Sequence, residues 1–353
     1  MRGIERLTAL PAGMVDVHTH AIDPDLPDVG QHHPGAFPRV ERLAADRLAI
    51  YMDGRLYREV DERAWSLKAR LQDMDAEGVA AQLLSAMPGT LCHEAPSSGA
   101  AALATLQNDF LARMVDACPR RFSALGAVPL QDVELAITEL RRCVLDLGFV
   151  GVEIGTRVGH IELADPALRP FFHAAAALGV MVFVHPVDRT LDPRLTGLGL
   201  GFGLGMPLET AVAAAGVLTS DLLVEIPELV LVLAHGGGAL PSVLPRVDFG
   251  QHVLGQLGDG AVPPLAGARA LWSDSLTYDP AALRLTVERF GRDHVLLGTD
   301  YPFTAREVPP GRVLQGDAAP FDPRLVAAVS RDNALALMSR RRVPDDVPER
   351  TPQ

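Results

Sequence analysis

Residues 180–186 read VMVFVHP, five apolar residues closed by a histidine and a proline. A run this short and this uniformly apolar suits a strand buried on both faces, as in a parallel sheet covered by helices. The same pattern recurs along the chain in VDVHTH (15–20), VAAQLLSAM (79–87), FSALGAVPL (122–130), FVGVEIGT (149–156), LVLVLAHGG (229–237), LWSDSL (271–276) and VLLGTDYPF (295–303). Helical stretches such as ALATLQNDFLARMVDAC, VELAITELRRCVLDLG, PALRPFFHAAAALG and LETAVAAAGVLTSDLLVEIP lie between them, each long enough for a crossover. Eight such units predict an α/β fold, a (β/α)8 TIM-type barrel; an open doubly wound sheet is the other architecture this alternation allows.

At 353 residues, one barrel with insertions accounts for the whole chain. We read residues 1–340 as a single barrel domain and 341–353, charged and proline-rich, as a loose tail. Residues 21–62 break the rhythm with Pro24, Pro27, Pro34 and Pro38, the pair His32-His33 and a strand-turn signal at YMDGRLYREV (51–60). An insertion after the first strand sits at the C-terminal mouth of a barrel, so this one is expected to act as a lid or subdomain.

The composition, 48% hydrophobic and 22% charged, is that of a packed enzyme. A formal charge of −12 disfavours nucleic acid and anionic lipid as partners. We see no apolar run approaching the roughly 20 residues of a membrane span and no secretory leader pattern, and expect a cytoplasmic protein. Cys92, Cys118 and Cys143 are odd in number and widely spaced, which fits packing better than a disulfide framework or a zinc ribbon.

In Asp16-Val17-His18-Thr19-His20 the alternation of a strand turns both histidines to one face. His185, His235 and Asp300 also close predicted strands, and side chains at the C-terminal ends of barrel strands project into one pocket. A satisfied core histidine or a capping aspartate is the plain alternative for each residue alone; joint placement favours ligation. Imidazoles with a carboxylate suit zinc with an open coordination position, so His18, His20, His185 and Asp300 are the candidate ligands of one divalent ion. Such an ion lowers the pKa of water towards about 7, and His235, left unligated, is the candidate acid-base residue. Strand four ends on Glu153 and Thr156 with no lysine to carry a carbamate, which favours a mononuclear site.

The ordered series DVHTH (16–20), GRLYREV (54–60), DMDAEGVAAQLLSAMP (73–88), RRFSALGAVPLQ (120–131), LGFVGVEIGT (147–156), FVHP (183–186), GMPLET (205–210), LAHGGGALP (233–241) and LLGTDYPF (296–303) resembles the amidohydrolase superfamily. The likeness is to its decarboxylase branch, typified by 2-amino-3-carboxymuconate-6-semialdehyde decarboxylase. The resemblance implies the same four zinc ligands and His235 as acid-base residue. It also implies two substrate-binding arginines, Arg58 and Arg246, the second reaching in from the neighbouring subunit of a homodimer. A guanidinium pairs with a carboxylate through two parallel hydrogen bonds and stays charged. The implied activity is non-oxidative decarboxylation of a small unsaturated or aromatic carboxylate, with no redox cofactor. A metal-dependent hydrolase or hydratase of a lactone, amide or enol acid, and a metal-stabilised binding scaffold without catalysis, are the rival readings.

The chain departs from the family where the pocket walls should be. Val187 follows FVHP in place of a tryptophan, LTGLGLGFGLGMP (195–207) has Phe202 as its sole aromatic residue, and SAMPGTLCHEA lacks the usual aromatics. These changes should reshape what binds more than how it reacts. Asp274 is a candidate to orient a ligand histidine; Trp65 and Trp272 read as core, Tyr278 as an ordinary packing residue, and His32-His33 as solvated loop.

Overall fold

The computed structural model describes residues 12–257, 262–315 and 321–342. Residues 343–353 of the expected tail lie outside the described residues. In chain order the strands are β1 (Met14–Ala21), β2 (Arg39–Ala44), β3 (Arg47–Met52), β4 (Arg55–Asp61), β5 (Val79–Ala86), β6 (Phe122–Ala127) and β7 (Gly151–Gly155). There follow β8 (Arg157–Val158), β9 (Ile161–Glu162), β10 (Met181–His185), β11 (Val230–Leu233), β12 (Trp272–Asp274) and β13 (Val295–Leu296).

Eight of them form one parallel sheet in the order β1-β5-β6-β7-β10-β11-β12-β13, the eight runs expected from sequence. The sheet closes on itself: Val17 N–H donates to Leu297 O (2.9 Å), Asp300 N–H to His18 O (2.9 Å), and His20 N–H to Tyr301 O (2.7 Å). Closure removes both edges and settles the architecture as a (β/α)8 barrel rather than an open sheet. The outer faces of the strands, Val152, Ile154, Val182, Val184, Leu231 and Leu233 among them, pack under the crossover helices. The inner cluster is built from Val15, Val17, Leu83, Met181, Phe183 and Trp272, and Leu337 and Met338 of the last helix pack against it.

Alternation along β1 is interrupted. Its register against β5 shifts between Asp16 and Thr19, so Val15 and Val17 belong to the inner cluster and His18 and His20 still converge at the mouth. Such irregularities re-aim side chains beside active sites.

The stretch LETAVAAAGVLTSDLLVEIP forms two helices, Met206–Leu218 and Leu222–Glu225. The break falls where the Thr219 and Ser220 hydroxyls turn back onto Ala215 O and Val217 O (2.9 and 2.8 Å) and Leu222 N–H donates to Ser220 Oγ (3.2 Å), local bonds that compete with the helix. The sequence expectation about membrane spans needs one correction. Among the described residues, Gly201–Leu218 is long and apolar enough in composition to cross a bilayer, through its leucines, valines and alanines. In the fold its Ala211, Ala213, Ala214, Val217 and Leu218 are buried against the barrel.

Between β1 and β5, strands β2, β3 and β4 make an antiparallel sheet of their own. Asp53 and Gly54 both take positive φ (51° and 70°), the backbone of a two-residue hairpin turn whose twist matches its strands. This sheet carries Tyr57 and Arg58 to the wall of the barrel mouth.

Candidate metal centre and active site

His18 and His20 come from the end of β1, His185 from the last residue of β10, and Asp300 from the loop after β13. One donor atom from each lies within 4.8 Å of every other, and all four residues are buried. His18 Nε2 stands 3.1 Å from His20 Nε2 and 3.4 Å from Asp300 Oδ1, which is 3.1 Å from His20 Nε2.

The backs of the three imidazoles fix their tautomers. His18 Nδ1 faces Asp274 Oδ2 at 2.6 Å, His20 Nδ1 the carbonyl of Ala86 at 3.0 Å, and His185 Nδ1 the carbonyl of Pro186 at 2.7 Å. Each Nδ1 therefore carries a proton, and each Nε2, a lone pair whenever its ring is neutral, turns toward the others and toward a carboxylate. His185 Nε2 is buried with no hydrogen-bond partner. Donor atoms crowded at this spacing call for positive charge among them, a proton on His18 in the metal-free protein or an ion in its place, and three imidazoles with a carboxylate are the donors zinc and its neighbours in the first transition row accept. The residues fit a divalent ion.

Charge follows the same geometry. Burial works to lower the pKa of His18, but Asp274 and Asp300 overcome it and push His18 up to about 10. Burial brings His20 down to about 4, and burial with the neighbouring imidazoles holds His185 well below its usual value. Asp274 is the hub: besides His18 it accepts from the backbone N–H of His235 (3.0 Å), Gly236 (2.8 Å) and Leu276 (3.0 Å). One carboxylate thus ties β1 to the loops after β11 and β12.

His235 lies beside the donors, its ring centroid 4.9 Å from His185 and 5.3 Å from His18, and both of its ring nitrogens lack a protein partner. It sits at φ 57°, a strained conformation for a side chain of this size, as does Asp300 at 67°. The glycines that follow explain how the strain is held. A Cβ on Gly238 would stand 2.4 Å from Pro207 O, and one on Gly237 2.7 Å from the Phe290 ring, so only glycine lets the loop press down there. Burial, then the field of His18, lowers the pKa of His235, leaving it neutral at pH 7.

Above the donors opens a cleft of about 260 Å³ lined by His185, Asp300, Tyr57, Arg58, Asp188 and Phe303. Arg58 lies 4.3 Å over the Phe303 ring and pairs with Asp188 (3.1 Å), which also accepts from the Tyr57 hydroxyl (2.7 Å). Arg246 is exposed on the helix Leu240–Val253 and does not line this cleft. His32 is exposed, and Trp272 is buried and stacked on His294. Cys92 and Cys143 are buried, Cys118 half-buried, and all three are free.

Sequence reasoning missed Asp188 as the anchor of Arg58, although a carboxylate three residues after His185 was a signal within reach. It also passed over Glu153 as more than a missing lysine. Glu153 is wholly buried, with Oε2 3.7 Å from His20 Nδ1 and neither oxygen hydrogen-bonded.

The family model described as Amidohydrolase matches residues 15–339. The chain belongs to the amidohydrolase family. It is 33% identical over 304 residues to 2-amino-3-carboxymuconate-6-semialdehyde decarboxylase of Dictyostelium discoideum, covering 85% of each chain. To gamma-resorcylate decarboxylase of Rhizobium sp. (strain MTP-10005) it is 30% identical over 281 residues, covering 72% of this chain and 83% of the relative. Its fold matches the crystal structure of a dihydroxybenzoic acid decarboxylase from Polaromonas sp. JS666 with bound manganese and 2-nitroresorcinol, with a TM-score of 0.73 at 22% identity over 94% and 98% of the two chains. Both of these curated relatives are decarboxylases, and the chain has the barrel and donor set of a metal-dependent decarboxylase of that superfamily.

Proposed function

We propose that the protein is a zinc-dependent, non-oxidative decarboxylase of a small unsaturated or aromatic carboxylate. The observation that carries this reading is the meeting of four converging donors with an unpartnered His235, its ring 4.9 Å from that of His185, beneath a cleft over His185 and Asp300 that holds Arg58. An ion held by His18, His20, His185 and Asp300 supplies a Lewis acid that stabilises negative charge on a substrate oxygen.

Arg58, held by Asp188 and stacked on Phe303, is placed to orient a carboxylate. His235, free at both nitrogens, takes a proton from a substrate hydroxyl or water and returns it to the carbon from which carbon dioxide has departed. The net change replaces a carboxylate by hydrogen and needs no oxidant. Arg246 we assign to the cleft of a second copy in a homodimer. It is exposed and lies outside its own cleft, on a helix that also exposes Phe249 (65%) and Val253 (55%).

The test is release of carbon dioxide from 2-amino-3-carboxymuconate-6-semialdehyde and from 2,6-dihydroxybenzoate by protein loaded separately with zinc and with manganese. We expect stoichiometric gas from at least one acid, best with zinc, and a loss of at least about 100-fold in His235→Ala, the size of a general acid-base contribution. Hydrolysis of a lactone or amide without gas would overturn the reading. Mixing inactive Arg246→Ala and His235→Ala subunits should restore part of the activity if the arginine is shared.

A further inference from the structure

A second cavity, about 240 Å³, opens at His235, beside the donor set. His235 lines it, while His185 and Asp300 line the cleft already described, and the rings of His185 and His235 are 4.9 Å apart. Phe202 and Met206 line both cavities, so the two adjoin, one over His185 and Asp300 and the other over His235.

The halves differ in chemistry. The first has Arg58, Arg63, Asp61 and Asp188 in its wall. The second is walled by Pro207, Pro241, Leu276, Leu285 and the Tyr278 ring, which stands edge-on to Phe202 at 6.2 Å. Three hydroxyls in that wall are already spent: Thr286 donates to Gly236 O (3.2 Å), Thr277 to Asp279 O (3.0 Å) and Tyr278 to Ala305 O (3.0 Å). His235 and Ser242 are the polar groups left in this wall, and away from them a polar group would lose water without replacing its hydrogen bonds, whereas an apolar one gains by burial. Neither half reaches the roughly 300–1,000 Å³ usual for a small-molecule site, but joined they do.

We propose that the second half is a subsite for an apolar substituent, and that the substrates are aromatic or unsaturated carboxylates bearing an alkyl chain or apolar ring on the side facing away from Arg58. The inference rests on the decarboxylase reading for the other end of the substrate. Gly203 lines this half, and a Cβ there would meet nothing within 4 Å, so a large side chain at that position would project into open space beside Phe202.

The experiment uses the full chain loaded with zinc and 2-hydroxybenzoate carrying methyl, propyl or pentyl at ring carbon 4 or 6. Kd is measured by calorimetry and carbon dioxide is collected from the same samples. In one of the two series Kd should tighten by up to about fourfold per methylene, the value of burying each. In Ala282→Phe and in Gly203→Leu, which place bulk in this half, the ratio between methyl and pentyl should fall toward one. Equal Kd for methyl and pentyl in the wild type, as when a second copy of the chain fills the cavity, overturns the proposal; so does a gain that survives both substitutions. Gas evolution reports separately on decarboxylation. Chain-length-dependent binding without gas would sink the reaction assigned above and leave the subsite standing.

Discussion

Two buried carboxyls stand behind the two histidines of the HxH pair, and they have opposite fates. Asp274, behind His18, accepts from one imidazole and three backbone N–H groups, and the hydrogen bond and charge of His18 overcome burial to hold its pKa below the usual carboxylate value. Glu153, behind His20, has neither oxygen in a well-formed hydrogen bond, and burial pushes it up to about 8 against the weaker pull of the Ser85 hydroxyl and of His18. Both are wholly buried. Depth in the barrel therefore does not decide which carboxyl is charged; the donors that reach it do. Asp274 is built to support an ion, and in the metal-free protein Glu153 is held toward its neutral acid form.

The largest break in this contrast is Asp274→Asn. Removing one charge of a buried pair costs about 3–5 kcal/mol, and loss of support behind a ligand histidine costs about 10–100-fold in metal affinity. Denaturant unfolding of the metal-free protein and competition with a chelator measure the two. Retention of both would mean that Asp274 supports nothing.

Next in size is proton release on metal binding. With His18 at about 10, the metal-free protein carries a proton there at pH 7.5, and loading must expel it. Calorimetry in buffers of different ionisation enthalpy should find about one proton released by the wild type and a smaller number by Asp274→Asn.

The pH dependence of stability sharpens the comparison. Both raised groups stabilise the metal-free fold at low pH and lose that contribution as pH rises, Glu153 between about 4.5 and 8 and His18 between about 6.5 and 10. Neutral His20 and His185 pull the other way at acid pH, so the difference from wild type is the quantity to read. Glu153→Gln should remove a fall of up to about 1.4 kcal/mol per pH unit from the lower window and leave the upper one. The smallest expected effect is Ser85→Ala: its hydroxyl, 3.1 Å from His20 Nδ1, stands beside the Ala86 carbonyl that already holds that nitrogen, and its loss should change metal affinity less than about tenfold by chelator competition.

The fold was legible because each barrel strand is short, apolar and closed by a polar residue, a pattern that a parallel sheet buried on both faces imposes. The donors were legible as candidates because they close those same strands. Asp188 and the apolar half of the cavity were not, since they depend on which loops cross above the mouth. Arg58 reaches Asp188 only because β4 returns over the barrel, a contact of 130 residues' separation.

By itself the sequence determined the eight barrel strands, their parallel sense and the residues able to bind an ion, because local periodicity and residue chemistry are properties of the chain. Only the tertiary structure decided that the sheet closes, that a register shift in β1 aims both histidines inward, and that Asp274 is charged while Glu153 is not. Closure, register and the state of a buried acid depend on partners far apart in sequence, and no local pattern encodes the distance to a partner.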